Sequence, residues 1–384
     1  MIFATSIGKK SPAALFSDIS FVSGGKKRGF CRLPLRVATP GPASQVRHAA
    51  GTCLLLLGLA VLPLAAHAGR AYVSNEDEHT VTVIDTDKNE AIATVPVGKR
   101  PRGIQLSHDG SKLFVALSGL PKCPPSVPDE ECEKLERDLK ADGIAVVDTK
   151  TLKVTKVFQA GSDPEQFDLT AAGLLFVANE DSATTTVLDT RTGTILSRVP
   201  VGKEPEGVRV SPDGKWVLVT NESDNSISII DPNTLKVVRS VTVGKRPRDI
   251  AFTPDGKTAY VSGEFDSSLY RIRVPEGAPV ERVIEFGKDE RPMSVRLDAK
   301  HNRLYVSTGR GGKVVVIDIS GTPKKIQDVA VGTRPWGIAL SADGSRLYTA
   351  NGPSNDVSVV DTATLKVIKK IPVGKSPWGV AVSR

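Results

Sequence analysis

Residues 202–243 read GKEPEGVRVSPDGKWVLVTNESDNSISIIDPNTLKVVRSVTV. An alternating run, Gly207-Val-Arg-Val-Ser211, stops at Pro212-Asp213-Gly214. Three more runs follow: Trp216-Val-Leu-Val-Thr220, Ile227-Ser-Ile-Ile-Asp231 and Val237 to Val243. Short runs rich in Val, Ile and Thr, with Gly, Pro, Asn and Asp between them, are strands separated by turns. The stretch is therefore one unit of four antiparallel strands.

The unit recurs. A Gly-x-x-Pro turn stands at Gly98–Pro101, Gly161–Pro164, Gly202–Pro205, Gly244–Pro247, Gly332–Pro335 and Gly374–Pro377, with a stretched version from Gly287 to Pro292. Successive glycines are 63, 41, 42, 43, 45 and 42 residues apart, which makes seven copies, one of them carrying an insertion. Four strands per copy, with no helical period, predict an all-β, seven-bladed β-propeller of four-stranded antiparallel blades. After residue 68 the chain starts on a second strand, Arg70-Ala-Tyr-Val-Ser74, and it stops just after a first strand, Pro377-Trp-Gly-Val-Ala-Val-Ser383. The C-terminal strand is expected to complete the N-terminal three and close the ring, which leaves no blade needing a cap.

The formal charge of +8 does not signal a polyanion partner. Residues 1–68 hold eight Lys/Arg against Asp18 alone, leaving 43 basic and 42 acidic residues beyond them. Nucleic acid is excluded as an expected partner. The segment 1–68 reads as a leader with a secretory signal: Arg47, an apolar region at about 53–66, and Ala66-His67-Ala68 before the expected cleavage. That run is too short for a membrane span. Residues 1–45 show no periodicity, and a start near Val46 would fit the signal better. A periplasmic, monomeric product covering 69–384 is expected. Cleavage would leave Cys123 and Cys132, and two cysteines in an exported chain read as one disulfide.

The motifs Tyr72-Val-Ser-Asn75 and Phe176-Val-Ala-Asn179, the V-x-V-I-D strands and the S-x-D-G turns resemble the YVTN family of β-propeller repeats over nearly all of 69–384. With the insertion at about 119–142, the whole chain is similar to the family of propeller proteins associated with PQQ-dependent catabolism. The resemblance implies a place beside periplasmic quinoprotein alcohol oxidation. It implies no chemistry.

Strand order places the fourth-to-first and second-to-third connections on one face of the disc, around the channel mouth, where propellers bind ligands. The residue after each repeat proline should ring that mouth: Arg102, Glu165, Glu206, Arg248, Met293, Trp336 and Trp378. The residue before it is Arg100, Asp163, Glu204, Arg246, Arg291, Arg334 or Ser376. Second-to-third loops add Glu76, Glu180, Glu222, Glu264 and Arg310. Arg and Glu alternating beside two exposed Trp would hold an anionic, planar or protein ligand. The plainer alternative is that these charges solvate the rim and pair across blades. The insertion enters at the second-to-third loop of the second blade and should lie over the same face, with a helix starting at Pro128, Glu133 and Arg137 one turn apart, and a Cys123–Cys132 bridge as its staple.

The third-strand aspartates Asp85, Asp148, Asp189, Asp231, Asp318 and Asp361 repeat in register, and Arg273 replaces them once. They read as turn stabilisers, not acid–base pairs. Gly309-Arg310-Gly311-Gly312 joins two strands and is no phosphate loop. No C-x-x-C-H is present for covalent haem. The expectation is a non-catalytic binding or assembly module with no catalytic residue and no cofactor or metal. Its partner would be a quinoprotein dehydrogenase, its cytochrome c, or a small metabolite. Two alternatives remain: a lactonase-like hydrolase holding Ca²⁺ through Glu76, Glu180, Glu222 and Glu264, and a redox-cofactor enzyme.

Overall fold

The computed structural model describes residues 69–119, 121–122, 129–132 and 134–383, which lie in one compact unit, Leu64–Arg384. The leader 1–68 with its cleavage point, and Cys123 with the expected Cys123–Cys132 bridge, lie outside the described residues.

Seven four-stranded antiparallel sheets form. Blade one joins Arg70–Asn75, Thr80–Asp85 and Glu90–Pro96 to the last strand, Pro377–Val382. Blade two runs from Pro101 to Phe158, three from Pro164 to Pro200, four from Pro205 to Thr242, five from Pro247 to Glu285, six from Pro292 to Ala330 and seven from Pro335 to Pro372. The expected closure is present: Ala71 pairs with Val382, Tyr72 with Ala381 and Val73 with Val380.

Second and third strands are covered on both faces by neighbouring blades, and they read as nearly unbroken apolar runs such as Leu113–Leu117 and Val314–Ile317. Fourth strands are outer edges. Their exposed positions carry Lys236, Arg239, Lys324, Lys325, Lys366, Lys369 and Lys370, charges that discourage edge-to-edge pairing. Among the described residues the core divides into seven clusters, each astride one junction between blades. The junction of blades seven and one packs Tyr348, Val357 and Val359 against Val73, Ile84 and Val380. The ring is sealed by the same apolar burial that joins every other pair.

First strands converge on the axis, where crowding demands glycine. A Cβ at Gly103 would stand 2.5 Å from the Glu165 carbonyl, and one at Gly337 2.6 Å from that of Trp378. The turn leading into each first strand is uniform. All seven pre-proline residues, Arg100, Asp163, Glu204, Arg246, Arg291, Arg334 and Ser376, are left-handed, with φ from 41° to 56°.

The insertion is less helical than expected. Its helix is the single turn Asp129–Cys132, so Arg137 lies beyond it. Among the described residues no helix is long and apolar enough to cross a membrane.

Candidate functional site at the channel mouth

The fourth-to-first and second-to-third loops do share a face, as the Glu76 N–H bond to the Ser376 carbonyl (3.0 Å) and that of Glu222 to Glu204 (2.9 Å) show. Two guanidiniums organise it. Arg102 of blade two places Nε 3.4 Å from Glu76 Oε1 on blade one. Its Nη1 faces blade three, 3.4 Å from Asp163 Oδ1 and 3.7 Å from Glu180 Oε2, and bonds Glu165. Arg100 adds a 2.9 Å contact to Glu76. Arg248 of blade five bonds Glu206 and Glu222 on blade four and, at 2.7 Å, Glu264 on its own. Arg246 Nε lies 2.5 Å from Glu222 Oε2 and 3.3 Å from Glu264 Oε2.

Trp336 and Trp378 stack with centroids 5.5 Å apart and planes inclined at 27°. Arg248 and Arg334 flank the Trp336 ring at 5.3 and 5.1 Å. Met293 is buried at the remaining position.

This corrects the sequence reading in three respects. Arg102, Glu165, Glu206 and Arg248 are not displayed to a ligand; each is under 9% exposed and neutralised by the others. Opposite charges set in a narrow ring satisfy one another before any visitor can. Trp378 is buried at 8% and only Trp336 is partly exposed, because each ring covers the other. Finally, Glu76, Glu180, Glu222 and Glu264 do not converge on an axial cation. Glu76 belongs to Arg100 and Arg102, and Glu222 and Glu264 belong to Arg246 and Arg248. The carboxylates of Asp163, Glu165 and Glu180 come within 4.8 Å of one another, but Arg102 already stands among them as their cation.

Too few cations serve these acids, and their proton affinities diverge accordingly. Burial pushes the Glu180 carboxyl up to about 7 against the pull of Arg102, with Asp163 adding to the rise. Asp163 is held low: burial would raise it, but Arg102, the Ser118 hydroxyl and Arg100 together outweigh that rise. Burial and the neighbouring carboxylate thus favour the protonated form of Glu180, while Asp163 is held in the ionised form. Burial likewise raises Glu222 well above the usual range despite Arg246, with Glu180 and Glu264 reinforcing the rise. For Glu76 burial is outweighed by Arg102, Arg100 and Lys122, which bring it down to about 2.

The two halves of the face differ. The insertion lies over blades one to three: Lys122 Nζ is 3.2 Å from Glu76 and 3.0 Å from Asp77, Lys99 bridges to Asp138 at 2.8 Å, and Arg137 reaches Asp181 at 3.4 Å. Blades five to seven carry Arg246, Arg291, Arg310 and Arg334, and among the described residues Arg310 and Arg334 form no ion pair. Phe265, at 52% exposure, lies between two guanidiniums, 4.9 Å from Arg246 and 4.5 Å from Arg291. Its place in the second-to-third loop, one residue after Glu264, was the signal for it; attention to charge alone missed it. Glu204 is exposed beside the ring.

The third-strand aspartates are the turn stabilisers expected. Asp85 accepts the N–H groups of Asp87 and Lys88, and Asp231 that of Asn233.

Two families match parts of the chain: Lactonase, 7-bladed beta-propeller, over residues 234–378, and Cytochrome D1 heme domain over 135–267. A curated relative, Antigen Lp49 of Leptospira interrogans, is 27% identical over 164 residues, which is 42% of this chain and 32% of the relative's length. Among solved structures, Kuenenia stuttgartiensis hydrazine synthase superposes with a TM-score of 0.65 at 22% identity, over 76% of this chain and 92% of that one. A candidate 6-phosphogluconolactonase of Bacteroides fragilis reaches 0.67 at 17% identity, over 84% and 100%. The solved structures share this chain's fold, and the lactonase family's description names the same number of blades. Identities this low carry the fold and no activity.

Proposed function

We propose that the chain is an exported, non-catalytic β-propeller that serves periplasmic quinoprotein alcohol oxidation as a binding or assembly module. It docks an acidic surface of the dehydrogenase or its cytochrome c on blades five to seven of the mouth face. The repeat motifs and the insertion, which resemble propellers of PQQ-dependent catabolism, supply the pathway. One observation carries the binding face: Phe265 is half exposed between Arg246 and Arg291, in a sector where Arg310 and Arg334 form no ion pair among the described residues. Arginine with an aromatic ring is the composition of interface hot spots, and an exposed ring between cations is favourable once a partner covers it. The ring carboxylates of Glu76, Glu165, Glu206, Glu222 and Glu264 each pair with a guanidinium, which favours binding over catalysis.

The test uses the exported chain, tagged, against a purified quinoprotein dehydrogenase and its cytochrome c. Micromolar capture of one of them is expected. Phe265→Ala with Trp336→Ala should weaken it about tenfold or more, and added salt should weaken it further. No capture at micromolar concentration of either protein would overturn the reading.

The match of residues 234–378 to the lactonase family favours a second reading, a lactone hydrolase. Glu180, protonated up to about pH 7 beside ionised Asp163, would then be the acid. Lactone hydrolysis abolished by Glu180→Gln would establish that reading in place of the first.

A further inference from the structure

The far end of the channel holds a separate feature. The first strands enclose a cavity of about 1170 Å³ bordered at the face opposite the mouth by the turn Ser107–Ser111 and by Thr149 and Lys150. Its inner end lies against Gly103, Gly337 and Trp378, under the ion-paired ring. The residue four past each repeat proline decides what it contains: Gln105, Asp168, Arg209, Ala251, Arg296, Ala339 and Ala381. Alanine leaves room on three blades, and the two arginines meet over Asp249. Arg209 Nη2 is 3.0 Å from Asp249 Oδ1, and Arg296 Nη1 is 2.5 Å from Oδ2.

The hydrogen-bond balance there is lopsided. Asp249, 1% exposed, also accepts the N–H groups of Ile250 and Val295, at 2.8 and 3.2 Å. Asp168 accepts Gln105 Nε2 at 2.7 Å and the N–H groups of Leu169 and Val210 at 2.7 and 2.8 Å. At the opening Asp109 is held by Ser107 and Ser111. The carboxylates of Asp109 and Asp168, which line the cavity, and of Asp249 are thus engaged by the protein. The guanidiniums are not: apart from Asp249, Arg209 and Arg296 donate only to the carbonyls of Val208 and Val295. Their Nε groups, and Nη2 of Arg296, have no partner among the described residues, though the side chains are 19% and 26% exposed toward the channel. A guanidinium presents five donors in a fork that suits a carboxylate. Ile104, Leu106, Leu340 and Val380 supply an apolar wall to the same cavity, and Arg70 and Lys150 stand at its opening.

We infer that this cavity binds a small organic carboxylate with a short apolar body, admitted from the face opposite the mouth and held by Arg209 and Arg296. A concave cavity in which an apolar wall meets a few converging polar groups is a common form of metabolite site. It is independent of docking at the mouth.

Hexanoate and its neutral isostere hexanamide are the probes, with binding read by calorimetry on the exported chain. Saturable one-to-one binding of hexanoate is expected, with the amide weaker by about tenfold or more. Arg296→Met should lose the preference for the acid. Because that change leaves buried Asp249 with one cation and threatens folding, Ala339→Leu is the second variant. It fills the cavity without touching an ion pair and should abolish hexanoate binding while partner capture at the mouth persists, so the two readings fail separately. Equal affinity for acid and amide, absence of hexanoate binding, or undiminished binding by Ala339→Leu would each overturn the inference.

Discussion

The Ser74 hydroxyl donates to the Arg102 carbonyl at 2.6 Å while accepting the N–H of Gly379 at 2.9 Å. One oxygen thereby joins the N-terminal strand, the C-terminal strand and the next blade. Ser262 does the same between Asp249 N and Met293 O, at 3.1 and 2.5 Å, and Ser307 between Ser294 N and Trp336 O, at 3.0 and 2.7 Å. Only a hydroxyl can both give and take at one buried point.

Replacing such a hydroxyl should therefore cost more than its size suggests. Ser262→Ala strands a buried N–H and removes a donor from a buried carbonyl, and about 1–3 kcal/mol of stability should be lost. Urea unfolding of Ser262→Ala and Ser307→Ala would measure it. Midpoints unchanged from the parent would show that the relay is ornamental.

Removal of residues 377–384 should expose two sheet edges at once. Tyr72 and Val73 lose their partners, and the cluster holding Tyr348 and Val359 loses Val380. Light scattering is expected to show aggregation of the shortened chain. A monodisperse product that unfolds in a single transition would contradict the closure.

Stability should peak on the acid side of neutrality. Glu76 has its carboxyl lowered to about 2, so its contribution is complete above the ordinary range near 4.5 and is lost as the pH falls toward 2. Glu180 is raised to about 7, so folding favours its proton, and stability is lost as the pH climbs from its ordinary range through 7. Glu222 shifts in the same direction as Glu180. Melting temperatures across pH 3 to 8 should therefore be highest near about 5. Glu180→Gln, which imitates the protonated acid, should flatten the decline and gain about 1–3 kcal/mol at alkaline pH. A melting temperature that rises steadily through neutrality would sink this account.

The third-strand aspartates should matter little individually. Asp231→Ala removes bonds of 2.8 and 3.1 Å to Asn233 and Thr234 and should cost about 0.5–1 kcal/mol, with partner capture unaffected. Blade five already manages with Arg273 at this position. Loss of capture in Asp231→Ala would assign these residues more than a local turn.

Much of the mouth was legible before any coordinates. The repeat proline locates Arg102, Glu165, Glu206, Arg248, Met293, Trp336 and Trp378 at one level because each blade repeats the same backbone path, down to a left-handed residue before the proline. What these side chains do to one another was not legible. Arg102 reaches forward to Glu165 and back to Glu76, and Arg248 spans to Trp336 on blade seven. Such contacts depend on distances across the ring, which no spacing along the chain encodes. Arg209, Asp249 and Arg296 were overlooked for the same reason: they lie on different blades and become a group only at the axis.

The order of residues alone determined the number of blades, their four strands and the joining of the two ends, because apolar periodicity and turn chemistry act over a few neighbours and repeat. Tertiary structure decided which charges are spent on each other and which remain free. Glu222 is buried and engaged while Arg334 faces solvent, although both belong to loops of the same rim. The physical reason is that Coulombic pairing and desolvation depend on three-dimensional separation and exposure, and a closed ring sets both only when all seven blades are in place.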